Sequence, residues 1–295
     1  MLEELDSPPK KSDAFFWADF IELNAISHPD KCWSRGDLVG VATRGKDKGT
    51  SFNPEIRWNE VLNFIESRVS TFQDLYPFEV SDDRDTLSLK EEGSKEADNY
   101  ISLLIASGMR HVSRDHRPAL ARYFEEACYL IFTKLVPEGS QIRATWAGGG
   151  SAAVYTGTLY EKMNLIATDI RCTANFDEDD FKARDRGDGG IDLIAWHPMG
   201  DDREGLPISF AQCGCSKEDW KFKQLEASFA KHGRNLPVMH RWANYYFMPL
   251  DLRRSDGNWA YKSDIGEAII VDRLRFLRLA QQYEILDQMP SFALP

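Results

Sequence analysis

Apolar residues recur at helical spacing through the first third of the chain. The stretch Ala14–Ser27 carries them at roughly three- and four-residue steps among polar residues. Ser34 then stands as the N-cap of a second amphipathic segment, and a third follows Pro54. Because a helix has 3.6 residues per turn, this spacing predicts three helices with one apolar face each. The apolar positions of the first and third helices are Phe15, Phe16, Ile21, Leu23 and Ile26, then Ile56, Val61, Leu62, Ile65 and Val69.

A polar segment interrupts this pattern at residues 80–95, with the sequence VSDDRDTLSLKEEGSK. Its acidic and turn-forming residues predict a linker. We therefore expect a helical N-terminal interaction domain with its linker over residues 1–95 and a second domain over residues 96–295.

The second part of the chain mixes helical and strand patterns. Its central element order is helix, strand, strand, strand, helix, strand, which predicts an α/β domain with a mixed central sheet flanked by helices. Two of the strands, IDLIAW and LPISFAQC, are separated by the turn-rich HPMGDDREG and predict a hairpin. The predicted elements are helices at 97–110 and 118–136, a strand at 141–147, a helix at 157–168, the hairpin at 191–213, a helix at 217–232, a β-rich stretch at 236–250 and a helix at 267–283.

Composition narrows the class of protein. With 295 residues, of which 42% are apolar, the chain is expected to be globular. It has no apolar run of 18 residues and its start, MLEELDSPPKKSD, does not resemble a secretory signal, so we expect a cytoplasmic protein without a membrane segment. The net charge of -11 argues against nucleic-acid binding by overall charge, although a local basic groove, a bound metal or a partner could supply affinity.

Several motifs that could suggest a functional site do not support one. The five cysteines form no CxxC pair and predict reduced thiols, with Cys213 and Cys215 too isolated to indicate zinc. The loop WAGGGSAAVYTG lacks the lysine of a phosphate-binding loop, so a flexible loop is favoured over nucleotide binding. The acidic run from Asp177 to Asp180 favours a solvated loop, and no serine–histidine or cysteine–histidine arrangement is apparent.

Polar residues at one end of the predicted hairpin do indicate a site. Asp192 opens an apolar strand after the turn GDGG, and Gln212 lies in the facing strand. Oxygen pairs of this kind suit Mg²⁺, while the alternative is that Asp192 caps a turn and Gln212 satisfies core backbone groups. Glu125, with Glu126, lies in an otherwise apolar helix, where a carboxylate is costly unless exposed, paired or metal-bound. Lys217 stands just beyond the second strand. Acids that hold a metal, together with a lysine that stabilises charge, are suited to phosphate chemistry.

These segments resemble the PD-(D/E)xK nuclease superfamily, the restriction-endonuclease-like fold, and in particular its Mrr-like branch found in prokaryotic restriction and antiphage defence systems. The resemblance rests on FEEACYLIF, GDGGIDLIAW, QCGCSKEDW and the order of elements, and covers roughly residues 110–250. It implies that Asp192 is the principal metal-binding acid, that Gln212 occupies the (D/E) position, and that Glu125 completes the metal ligands. Asp188 is an auxiliary candidate.

One position departs from that pattern. The lysine of a Q-x-K motif would stand at Gly214. In related variants the lysine lies at the mouth of the following helix, which implies Lys217, with Lys221 in reserve. Without such a lysine the resemblance implies a catalytically inactive nuclease fold that serves as a DNA-binding or assembly module.

The resemblance thus implies a Mg²⁺- or Mn²⁺-dependent endodeoxyribonuclease that hydrolyses phosphodiester bonds in DNA. It further implies a nuclease subunit or effector of a defence system, with a partner such as an ATPase or sensor subunit, or a homo-oligomer.

Overall fold

The chain folds into two compact units in a computed structural model that describes residues 2–44, 53–91, 93–145, 155–182 and 184–290. The first unit comprises Met1–Arg122, Pro249–Lys262 and Arg273–Pro295, and the second comprises Tyr123–Met248 and Ser263–Asp272. The division therefore falls at residue 122 and not at the predicted residue 95, and the C-terminal helix belongs to the first unit. The reason is packing, since the helix that begins at Lys95 packs against both the first helix and the C-terminal helix. The interaction role expected of the N-terminal domain stays a prediction.

The first unit is mainly helical, as predicted, and also contains a small sheet. Its helices are α1 (Ala14–Ser27), α2 (Arg35–Arg44), α3 (Pro54–Phe72), α4 (Lys95–Ser107), the start of α5 (Arg117–Leu135), and α9 (Arg273–Gln282). Its strands are β1 (Cys32–Ser34), β2 (Phe78–Val80) and β3 (Thr86–Leu89), in the antiparallel order β1-β3-β2. Ser34 caps α2 as predicted, because its Oγ accepts from the Asp37 N–H at 3.2 Å while Asp37 Oδ2 accepts from the Ser34 N–H at 2.9 Å.

Residues 80–95 do not form the predicted linker. They include β3, which is the central strand of this sheet. The acidic residues form the turn of a hairpin: the Arg84 N–H donates to the Ser81 carbonyl at 2.8 Å, and the Ser81 N–H donates to the Thr86 carbonyl at 3.0 Å. Leu87 is fully buried. Two apolar residues in TLSL thus suffice for a strand once β1 and β2 supply partners on both edges.

The second unit has the predicted fold class, a mixed α/β sheet flanked by helices. Its strands are β4 (Gln141–Ala144), β5 (Leu193–Trp196), β6 (Ile208–Cys213), β7 (Ala243–Phe247) and β8 (Ile269–Val271), in the order β4-β5-β6-β7-β8. The first three are antiparallel, and β7 and β8 continue the sheet in parallel. The remaining helices are α6 (Leu159–Asp169), α7 (Trp220–Lys223) and α8 (Phe229–His232). The predicted element order and the β5–β6 hairpin are therefore confirmed.

Helices cover both faces of this sheet. Ile194, Phe210 and Trp242 belong to a buried core that includes Met163 and Ile166 of α6. On the other face, the Phe132 ring of α5 packs against Tyr245 and Phe247 of β7. Successive side chains of a strand point to opposite faces, so α5 and α6 each bury one of the two alternating sets.

Two predicted helices differ from the structure. The segment 217–232 forms two single-turn helices, because the buried Gln224 side chain donates to the Asp264 carbonyl at 2.6 Å and accepts from the Gly266 N–H at 3.0 Å, which fixes the intervening turn. The segment 267–283 begins with β8, since the β-branched run Ile269–Val271 pairs with β7.

The acidic run from Asp177 to Asp180 is exposed, as predicted, and includes a short 3₁₀ turn, Glu178–Asp180. Residues 146–154 of the glycine-rich loop lie outside the described residues. No helix within the described part of the chain is long and apolar enough to cross a membrane.

Candidate active site

The hairpin brings Asp192 and Gln212 to the same end of the sheet. Leu193 pairs with Ala211, so Asp192 just before β5 lies beside Gln212 in β6. The Asp192 N–H donates to the Ala211 carbonyl at 2.9 Å, and Asp192 Oδ2 accepts from the Cys213 N–H at 2.6 Å. The two side chains are only 4% and 7% exposed. A buried aspartate and a buried glutamine therefore share one strand end, as the sequence predicted.

The GDGG turn needs its glycines for two physical reasons. Gly189 and Gly190 have φ values of 69° and 85°, in the left-handed region that favours glycine. A Cβ on Gly190 would lie 2.5 Å from Glu226 Cβ, so no side chain fits there. Asp188 Oδ1 accepts from the Gly190 N–H at 2.7 Å, which closes the turn immediately before Asp192.

Two lysines that the sequence analysis did not select hold this turn. Lys162 of α6 is 5% exposed, and its Nζ donates to the carbonyls of Arg186 at 2.8 Å and Gly187 at 3.1 Å. Lys231 Nζ donates to the Gly189 carbonyl at 2.7 Å. In the sequence, Lys162 is simply a lysine in an amphipathic helix, and such a lysine is most often exposed to solvent. These ammonium groups fix the turn that positions Asp188 and Asp192.

Three carboxylates act on one another at this strand end. Burial, followed by the charge of Asp188, raises the pKa of Asp192 well above its usual range, and Glu125 adds to that effect. Burial and the charges of Asp188 and Glu126 raise the pKa of Glu125 to about 7. Burial and a nearby negative charge both disfavour the ionised form of a carboxyl group, which is why these two pKa values rise. The structure thus gathers Glu125, Asp188 and Asp192, and a cation is what such a group attracts.

Gln212 presents an oxygen toward the same region. Its Oε1 is buried and has no hydrogen-bond partner among the described residues. The same holds for the Tyr246 hydroxyl, and Tyr246 is the direct partner of Gln212 in the parallel ladder of β6 and β7. Buried polar atoms are nearly always hydrogen-bonded, so this amide oxygen is suited to accept from a water molecule or to bind a cation. The alternative interpretation was that Gln212 forms hydrogen bonds with backbone groups of the core. Its Oε1 forms no such bond among the described residues.

Tyr246 also explains why a glycine stands at position 214. A Cβ on Gly214 would lie 2.3 Å from the Tyr246 hydroxyl oxygen and 3.0 Å from two ring carbons. The volume that a lysine at this position would need is therefore filled by the tyrosine of the neighbouring strand.

Replacing Gly214 by alanine should lower the free energy of unfolding by about 1–3 kcal/mol, because the new methyl group overpacks this contact. Urea unfolding measures the change. The double variant G214A/Y246F should recover part of it, since the nearest atom is then gone. Gly93→Ala is the control, because a Cβ there meets no atom within 4 Å. If G214A is as stable as the wild type, the steric account is wrong.

The two candidate lysines lie in different settings. Lys217 is half-buried in the turn between β6 and α7, five residues after Gln212. Lys221 Nζ forms an ion pair with Asp264 Oδ2 at 2.5 Å, and both side chains are partly exposed. Lys221 is thus engaged by an acid outside the carboxylate group, and Lys217 stays the candidate for the missing lysine.

Three cysteines complete the surroundings of the site. Cys128, Cys213 and Cys215 carry free thiols, as predicted. Burial raises the pKa of each thiol, and the charges of Asp192 and Glu125 raise it further. A thiol with a raised pKa is a poor nucleophile, so these cysteines pack and do not react.

The donors fit a hard divalent cation by their chemistry, since Mg²⁺ prefers carboxylate and amide oxygens. The unpartnered Gln212 Oε1 is the observation that supports this fit. Within the described residues, no three histidine, cysteine, aspartate or glutamate side chains form a group that could hold a metal ion as they stand.

Comparisons with known proteins add little to this geometry. No protein-family model matches the sequence, and no curated protein matches it. The fold is similar to a solved structure of the MspJI restriction endonuclease in complex with a 27-mer oligonucleotide, with 12% sequence identity and a TM-score of 0.33. The match covers 67% of this chain and 34% of that chain, so this protein spans about a third of the length of that endonuclease. A similarity of this size leaves the function to be argued from the residues themselves.

Proposed function

We propose that this protein is a metal-dependent DNA endonuclease that hydrolyses phosphodiester bonds with Mg²⁺ or Mn²⁺. The observation that carries the proposal is the group of mutually destabilising carboxylates beside the unpartnered oxygen of Gln212. Such an arrangement is unfavourable in the metal-free protein and becomes favourable with a divalent cation. Proteins retain buried charges of this kind mainly at functional sites.

Asp192, Gln212 and Glu125 would hold the metal. When bound, the metal would lower the pKa of a water molecule and neutralise charge on the phosphate. Asp192 is oriented by the Cys213 N–H, so one carboxylate oxygen is fixed to β6. Asp188, whose charge raises the pKa of both other acids, would orient water.

Lys217 would stabilise the negative charge that develops on the phosphate. It lies in the turn that follows β6, five residues after Gln212, whereas Tyr246 fills the space that a lysine at position 214 would need. Nicking of supercoiled plasmid in Mg²⁺ or Mn²⁺ tests the proposal directly. Failure of the wild type to nick DNA in either metal, with or without added protein partners, would remove it.

The affinity for Mg²⁺ should depend on pH through Glu125. Its pKa is about 7, and a proton on this carboxyl competes with the metal. The Mg²⁺ concentration for half-maximal activity should therefore rise by up to about tenfold for each unit by which the pH is lowered below 7, and should level off above pH 7. Titrations of activity with Mg²⁺ between pH 5.5 and pH 8.5 measure this, at about half-unit steps.

Glu125→Gln should show a weaker dependence on pH and a higher Mg²⁺ requirement throughout. Glu138→Gln, at an exposed position, is the matched control and should behave as the wild type. An unchanged pH profile in E125Q would mean that Glu125 does not hold the metal.

Two observations favour a second function, a catalytically inactive nuclease fold that serves as a DNA-binding or assembly module. Gly214 has no room for a lysine, and Lys221 is paired with Asp264. In that case DNA would bind without cleavage, and Lys217→Ala would change nothing in the nicking assay.

A role as nuclease subunit or effector of a prokaryotic antiphage defence or restriction system is part of the same proposal. It is supported by the motif resemblance and by the acidic net charge of -11, which suits a chain that gains DNA affinity from an ATPase or sensor partner or from an oligomer. Efficient cleavage of plain duplex DNA by the isolated protein at physiological salt would make a partner unnecessary.

A further inference from the structure

A basic cleft lies on the first unit, between α9 and the chain just after Pro249. Its volume is about 530 Å³. Its lining residues are Arg253, Leu274, Arg275, Arg278, Gln281 and Gln282. Three guanidinium groups and two side-chain amides therefore surround a space large enough for a nucleotide-sized group.

A tight loop holds one wall of the cleft in place. Arg253 and Trp259 form an isolated antiparallel bridge, and the loop between them closes with the Arg254 N–H donating to the Asn258 carbonyl at 2.9 Å. Gly257 at the turn has a φ of 79°. The backbone of Arg253 is thus fixed by this loop.

Stacking on Trp259 orders two of the arginines. The guanidinium carbon of Arg253 lies 4.6 Å from the centre of the Trp259 ring, and that of Arg275 lies 5.1 Å from it. A guanidinium stacked on an aromatic ring is ordered before a ligand binds, which lowers the entropic cost of binding. The Arg253 Nη1 also donates to the Gly257 carbonyl at 3.3 Å, so both stacking and this hydrogen bond hold its guanidinium group at the cleft.

The other wall of the cleft is a row of polar side chains along α9. Arg275, Arg278 and Gln282 follow one another at one-turn steps and are exposed. At 1.5 Å per residue, this row extends over about 10 Å. A linear row of donors matches several successive phosphates of a polymer better than it matches one small anion.

The local charge contrasts with that of the whole chain. The exposed arginines of α9 are Arg275 and Arg278, both at the cleft, and the helix has no acidic residue, whereas the chain has a net charge of -11. An acidic protein repels nucleic acid over most of its surface, so a basic cleft is where a polyanion would be attracted.

We propose that this cleft binds the phosphate backbone of nucleic acid through Arg253, Arg275 and Arg278. The proposal rests on the proposed function only in the choice of DNA as the ligand. Binding here does not require cleavage at Asp192, and the cleft belongs to the unit for which the sequence predicted an interaction role.

Fluorescence anisotropy of a short labelled DNA duplex tests this with the full chain, in EDTA so that no cleavage occurs. The variant R275A/R278A should bind about tenfold or more weakly near 100 mM NaCl, and its slope of log affinity against log salt should be lower by about 2. The control R114A/R234A removes the same charge at two exposed positions outside the cleft and should bind as the wild type.

Equal affinity and equal slope in R275A/R278A would overturn the proposal, and so would an equal loss in the control. Competition distinguishes a polymer from a small anion: unlabelled duplex should displace the probe, whereas ATP at the same phosphate concentration should not, and the reverse would also overturn it. Because Arg278 donates to the Thr71 carbonyl at 2.5 Å, the melting temperature is measured as well. If it falls, R275Q alone should still weaken binding, and unchanged binding in R275Q would then reject the cleft.

The nicking assay separates this proposal from the nuclease proposal. If DNA binds through the cleft and no metal supports cleavage, the cleft stands and the nuclease function fails. If R275A/R278A cleaves with the wild-type KM, the cleft fails and the nuclease function stands.

Discussion

Asp192→Asn should abolish plasmid nicking and at the same time raise the melting temperature of the metal-free protein at pH 7. Loss of the principal metal-binding carboxylate removes several kcal/mol of stabilisation of the transition state, which corresponds to a loss of about 10³-fold or more in rate. The amide can still accept the Cys213 N–H, which holds the Asp192 carboxylate at 2.6 Å in the wild type. The fold should therefore persist.

The gain in stability follows from the sign of the pKa shift. Burial and the charge of Asp188 raise the pKa of Asp192 well above that of an unfolded chain. The folded protein then binds more protons than the unfolded protein above about pH 4, so its free energy of unfolding falls as the pH rises through the window up to the raised pKa. A neutral amide removes this loss, so the stability of D192N should depend less on pH.

Asp202→Asn, at an exposed position, is the matched control and should leave both activity and melting temperature unchanged. Nicking rates in Mg²⁺ and thermal unfolding between pH 5 and pH 8, at about one-unit steps, supply the measurements. Equal activity in D192N and the wild type would reject the site, whereas a large drop in the melting temperature of metal-free D192N would show that Asp192 is structural.

Arg68→Met should cost about 3–5 kcal/mol of the free energy of unfolding, the largest effect on stability that we expect from a single substitution. Arg68 is fully buried in the first unit and contacts three carboxylates: Asp19 at 2.9 Å, Glu22 at 2.6 Å and Asp251 at 3.0 Å. Removing it leaves these acids buried with Arg273 as their neighbouring guanidinium, which contacts Asp19 at 3.0 Å.

Arg35→Met is the control, because the Arg35–Asp85 pair is 43% exposed on both sides. Solvent screens such a pair, so its loss should cost less than about 1 kcal/mol. Urea unfolding of both variants measures the two losses in the free energy of unfolding. If R68M and R35M were equally stable, the buried cluster would contribute no more than a surface ion pair.

The sequence predicted most of the second unit because its elements have strong local patterns. The period-two and apolar runs of β5 and β6, with a turn-rich connection, specify a hairpin whatever surrounds them. The failures occur where contacts distant in sequence decide the structure. Ile269–Val271 reads as the start of a helix until β7 offers it a strand partner, and TLSL reads as a linker until β1 and β2 flank it.

The candidate site divides in the same way. Asp192 and Gln212 are predictable because a hairpin fixes which residues share a strand end. Glu125 is predictable because a carboxylate in an apolar helix is costly unless it is exposed, paired or bound to a metal. Lys162 and Lys231 were missed, since their role depends on carbonyls of the GDGG turn that only the fold brings to them. Tyr246 was missed because a parallel strand from beyond residue 240 places its ring against Gly214.

The sequence by itself determined the mixed α/β class, the hairpin and the polar residues at its end, because local periodicity and turn chemistry decide these. Only the tertiary structure decided that the C-terminal helix packs in the first unit, where Arg273 contacts Asp19 across 254 residues of chain. It likewise decided that burial and the charge of Asp188 raise the pKa of both Glu125 and Asp192. Burial and charge act through space, and no pattern along the chain encodes the distance between groups that folding brings together.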